Sequence, residues 1–134
     1  MPGVTLVTGA SGFIGRYVVQ RLLDRGRAVR VLVRRPEALP DLVRRAVEIV
    51  AGDVRDEAAL ARAVRGTSTI LHLAACAKAW SRDPQEFLAV NVQAVGNLLQ
   101  LAEAEGVERL VHVSTILTLP PYRPASINGR SQDL

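Results

Sequence analysis

A chain of 134 residues, 49% hydrophobic and 22% charged, has the size and balance of one globular domain and buries about two thirds of its unfolded surface. Its net charge of +4 rests almost wholly on arginine, but twelve of the arginines share residues 16–65 with seven acids, and an aromatic content of 4% leaves no stacking platform, which argues against nucleic acid. A single cysteine, Cys76, excludes an internal disulfide, and two histidines without ligand-like spacing predict no metal site. With no apolar run of spanning length and no basic leader, the sequence predicts no membrane segment and a cytoplasmic protein.

The first predicted element is a β-branched strand, Val4–Thr8, which breaks into TGASGFIG at residues 8–15. Gly9 permits a tight turn out of the strand and Gly12 lets the backbone approach a pyrophosphate. Gly15 lets the following helix pack close to the strand. That helix is predicted over residues 13–25, with Ile14, Val18 and Leu22 on its inner face, Val19 and Leu23 widening it and Gly26 stopping it. Its N-terminus offers free N–H groups and the positive end of a dipole to phosphates.

A second strand is expected at 28–33, then a loop or short helix between Pro36 and Arg45, then a third strand at 47–50 running into Gly52-Asp53. A helix at 57–64 closes at Gly66, and the apolar run at 69–74 predicts a strand covered on both faces. A long helix is expected over 84–105, with Asp83 as its N-cap and Pro84 in its first turn. Phe87, Val90, Ala94, Leu98 and Leu101 form its inner stripe. A fifth strand falls at 109–114, and the proline-rich tail at 119–134 reads as loop beyond a domain of residues 1–118. Right-handed crossovers make this an α/β, Rossmann-type doubly wound parallel sheet of order 3-2-1-4-5.

These segments together carry a resemblance. TGASGFIG (8–15), GDVRD (52–56), LHLAA (71–75), NVQAVGNLL (91–99) and LVHVST (110–115) are similar, in order and spacing, to extended short-chain dehydrogenases/reductases of the NAD-dependent epimerase/dehydratase family. AACAKAWSRDP (74–84) resembles the dihydroflavonol-reductase-like branch. The resemblance implies that Gly9, Gly12 and Gly15, with Phe13 and Ile14, hold the pyrophosphate of a dinucleotide. It implies that Asp53 and Val54 meet the adenine, although Asp53 also reads as a strand-end carboxylate capping the next turn. Leu73, Ala74 and Ala75 would line the ribose region. Asn91 would bridge the backbone to the cofactor's surroundings or serve as a satisfied core asparagine.

The residues at the end of the second strand decide between cofactors. An unphosphorylated ribose calls for an acid there, and this chain has Arg34-Arg35, which suits a 2′-phosphate and favours NADP over NAD. On the catalytic side, the resemblance makes Thr115 the residue that polarises substrate and Ser114 a strand-end contact. The family's Tyr-x-x-x-Lys pair is absent. The two tyrosines are Tyr17, in the first helix, and Tyr122, followed four residues on by Ser126, and Lys78 lies upstream.

Three readings follow: the cofactor-binding part of a reductase or epimerase-like parent, a non-catalytic NADP(H)-sensing or interaction module, or a half-enzyme completed by another chain. Taken alone, the chain would expose its apolar fifth strand as a sheet edge, so self-association or dependence on a partner is expected, and a small-molecule substrate belongs only to a full-length parent.

Overall fold

The computed structural model describes residues 3–119. Five strands form one parallel sheet in the order β3-β2-β1-β4-β5: β1 Val4–Thr8, β2 Val29–Val33, β3 Glu48–Ala51, β4 Thr67–His72 and β5 Arg109–His112. The expected order holds. β4 and β5 end two residues earlier than the apolar pattern suggests, because Leu73-Ala74 and Val113-Ser114 already turn into loops at the sheet's carboxyl end.

Helices α1 Phe13–Asp24 and α2 Asp41–Ala46 cover one face. There Val19 packs with Val7, Val31 and Val33, and Val43 borders the same cluster. On the other face α3 Glu57–Val64 and α5 Ala94–Ala104 enclose Leu6, Leu32 and Ile70 with Leu60, Val64 and Leu98. Arg30 fastens this second face. From β2, its guanidinium Nη1 donates to the carbonyls of Ala63 and Arg65 at the end of α3, at 2.9 and 2.6 Å, while Nε lies 2.9 Å from Glu48 on β3. A cation set at a helix C-terminus satisfies carbonyls that the helix itself leaves unpaired.

Two helices differ from their predicted form. On α1 the buried line runs through Gly15 and Val19 rather than Ile14 and Val18, and Ile14 is 53% exposed. The cause is Gly15: a Cβ there would run into the Gly9 carbonyl, so the bare backbone docks against the turn and the helix rolls by about one residue. The expected long helix is α4 Gln85–Leu88, a π-helical turn at Ala89–Gln93 and then α5. Asp83 takes its capping part, accepting the Gln85 N–H at 3.0 Å. The expected loop or short helix before β3 is α2, preceded by a 3₁₀ turn at Pro36–Ala38. Tyr122 and the tail beyond Leu119 lie outside the described residues.

Candidate functional site

At the carboxyl ends of the strands, where the chain's winding reverses between β1 and β4, the loops enclose a cavity of about 300 Å³. This is the position at which open α/β sheets bind ligands. Gly9, Ser11 and Gly12 form the wall next to α1. Gly9 has φ +70°, and a Cβ there would press on Leu73 and Ala74, so only glycine lets the β1 turn and the β4 loop meet.

Beneath this junction Thr8 ties β1 to β4. Its hydroxyl shares a 2.7 Å hydrogen bond with His72 Nδ1 and accepts the Ala74 N–H at 3.3 Å. His72 is 1% exposed and stacks on His112 across the strand pair, with ring centroids 5.3 Å apart. Burial, with a smaller contribution from His112, pushes its pKa down to about 4, so it is neutral at physiological pH.

The second wall follows β2 and β3 and carries Arg34, Asp53, Val54 and Arg55. Arg55 grips Asp53 three times: its backbone N–H and Nε donate to Oδ1, both at 2.9 Å, and Nη2 donates to Oδ2 at 2.8 Å. These hydrogen bonds hold the Asp53 carboxyl below its usual range against a smaller opposing effect of burial, and the charge of Arg34 adds to the lowering. The remaining wall is the loop after β4, Leu73 through Lys78, with Glu86 and Val90. Lys78 Nζ donates to both Glu86 oxygens at 3.0 and 2.9 Å, and the Ser81 hydroxyl donates to the same carboxylate. The Lys78 bond is the main reason that the Glu86 carboxyl is held low.

Asn91 sits in the π-helical turn, outside the cavity wall, and positions the wall from behind. Its amide oxygen accepts the Cys76 N–H at 2.8 Å and its amide nitrogen donates to the Cys76 carbonyl at 3.0 Å. The extra residue of a π-turn is a common way to aim one side chain out of a helical register.

The cavity therefore brings together Gly9, Gly12, Arg34, Asp53, Val54, Leu73, Ala74 and Ala75 from four separate stretches of sequence. Gly15 lies just beneath it, while Phe13 is 74% exposed on the outer side of α1 and, like Ile14, stands off the wall. Arg35 is exposed and absent from the lining. Ser114 and Thr115 follow β5 away from the wall, where the Thr115 hydroxyl accepts the Leu117 N–H at 3.3 Å. Sequence reasoning missed Ser11, Arg55, Cys76, Lys78 and Glu86. For Arg55 a signal existed: a basic residue two places from Asp53 in a loop leaving a strand. Among the described residues no group of three or more His, Cys, Asp or Glu is placed to hold a metal ion, and no helix is long and apolar enough to cross a membrane.

The comparisons with known proteins agree with this fold. The family model for the NAD dependent epimerase/dehydratase family matches residues 5–133. The chain is 40% identical over 111 residues to the sterol demethylase protein B of Methylococcus capsulatus, covering 83% of this chain and 34% of that protein. It is 34% identical over 116 residues to a putative dihydroflavonol 4-reductase of Synechocystis, covering 84% of this chain and 33% of that one. Among solved structures, a short-chain dehydrogenase/reductase superfamily protein of Agrobacterium tumefaciens with bound NAD superposes with a TM-score of 0.74 at 38% identity, covering 84% of this chain and 32% of that one. The chain thus spans about a third of the length of the relatives it matches. It belongs to the NAD dependent epimerase/dehydratase family, and its fold is that of the family's nucleotide-binding domain.

Proposed function

We propose that this member of the family binds NADP(H) in preference to NAD(H) and forms the cofactor-binding part of a reductase, dehydrogenase or nucleotide-sugar-epimerase-like protein of the cytoplasm. One observation carries the preference. Three cations and two acids line the cavity, and two of the cations are committed, Arg55 to Asp53 and Lys78 to Glu86. Arg34, at the end of β2, has no ion-pair partner among the described residues. The surplus positive charge of the cavity is therefore its own, at the place where a ribose 2′-substituent lies in this class of fold. The 2′-phosphate would sit on Arg34, the pyrophosphate on the Gly9–Gly12 turn and the amide end of α1, and the adenine beside Asp53 and Val54.

When bound, the dinucleotide supplies the hydride, and the residues of this chain orient it and exclude water from its adenosine half. The chain carries no Tyr-x-x-x-Lys pair to move a proton to or from substrate. We therefore expect binding without turnover from the 134 residues alone. Fluorescence titration with NADPH and NADH tests the reading. NADPH should bind more tightly by about tenfold or more, the worth of one charge-assisted phosphate contact. Equal affinities overturn the preference.

A further inference from the structure

We propose that Arg55 sets cofactor specificity without holding the 2′-phosphate itself: it occupies the Asp53 carboxylate and so keeps the neighbouring Arg34 free for an anion. The inference deepens the NADP reading above and rests on it. Arg34, Asp53 and Arg55 line one wall of one cavity. A carboxylate there, left alone, has two reasons to oppose a phosphate, since it repels the dianion and is itself a partner for the Arg34 guanidinium. Arg55 answers both. Its Nε, Nη2 and backbone N–H fill three of the roughly four acceptor positions that a carboxylate offers. The pair is neutral, Arg34 keeps its charge, and one lone pair on Oδ2 stays open for an amine donor such as that of adenine. The charge of Arg34 adds, after the hydrogen bonds and charge of Arg55, to the lowering of the Asp53 carboxyl.

The two guanidinium groups thus divide the work by position in the chain. Arg55 is three bonds deep in a local loop interaction two residues away, a ring closed at little entropic cost. Arg34 follows the end of β2 and has no ion-pair partner among the described residues. Loss of Arg55 should let Asp53 take Arg34 instead, converting the anion site into a closed ion pair.

The test is the ratio of NADPH to NADH affinity in the 134-residue chain and three variants, measured by fluorescence titration. Arg55→Ala should lower the ratio about tenfold, one decade for one lost charge-assisted contact. Arg55→Lys, which still neutralises Asp53, should keep the ratio within about threefold of wild type. Adding Asp53→Asn to Arg55→Ala should restore it, because the competing charge is gone. A wall residue with a merely structural role would weaken both cofactors together and leave the ratio unmoved. If the wild type prefers NADPH and Arg55→Ala keeps that preference, or if Asp53→Asn fails to restore it, the inference falls alone. If the wild type binds both equally, the cofactor reading falls and the inference with it.

Discussion

His72 shows how a single buried side chain can tie the site's geometry to pH. Its Nδ1 is bonded to the Thr8 hydroxyl and its Nε2 has no partner among the described residues, so a proton added there brings a charge into an apolar layer. The folded-state pKa of about 4 lies below the unfolded value of 6.5, so the unfolded chain binds the proton more readily. Above pH 6.5 both states are neutral at this position and no stability is lost to it. As pH falls from 6.5 toward 4, stability declines, by about 2 kcal/mol near pH 5. Urea unfolding near neutral pH and near pH 5 checks this, and equal unfolding free energies would refute it. Thr8 also holds the Ala74 N–H of the cavity wall, so the same acidification should loosen the site before the fold is lost.

At the scale of elements, the junctions matter more than the elements themselves. Arg30 joins β2, β3 and the end of α3 through two carbonyls and one carboxylate. Its side chain is only 13% exposed, and of its acceptors the Ala63 carbonyl is part-buried while the Arg65 carbonyl and Glu48 are open to water. Arg30→Ala should cost about 1.5–3 kcal/mol of unfolding free energy, the range for hydrogen bonds to a charged group. A loss under roughly 0.5 kcal/mol by denaturant titration would place that junction's strength elsewhere. The strands, their order and the helix-ending glycines were legible in residue pattern alone: Gly26, Gly66 and Gly106 all take φ near +65°. The roll of α1 was not. Ile14-Val18-Leu22 and Gly15-Val19-Leu22 are both acceptable apolar lines, and only the contact of Gly15 with Gly9 chooses between them.

Across the whole molecule, coverage of the sheet is uneven. α1 packs with the cluster of β1 and β2, and Leu71 of β4 only borders that cluster, half-buried. Register puts Val111 level with Leu71, and Val111 and Val113 are 43% and 42% exposed. Among the described residues β5 is also an edge strand, with one side of its backbone unpaired in the sheet. A parallel sheet is stable when both faces are shielded, and an open apolar edge recruits another strand. We expect the 134-residue chain to self-associate at micromolar concentration in sedimentation velocity, and Val111→Lys to shift it toward monomer. A monodisperse wild-type monomer would contradict this.

The sequence by itself determined the parallel sheet, its order and the glycine turn after β1, because each rests on local periodicity or on glycines whose positions are dictated by backbone sterics, and its motifs carried the resemblance to the family. It also placed Arg34 and Asp53, since both stand at strand ends where a pattern of apolar residues stops. Only the tertiary structure decided which arginine lines the cavity. Arg34 and Arg35 are equivalent as letters and both follow the end of β2, yet Arg34 lines the cavity and Arg35 does not. The Lys78–Glu86 pair belongs to the same class, because the loop after β4 has to fold back on the start of α4 before the two meet, whereas Arg55–Asp53 is a local pair within one loop.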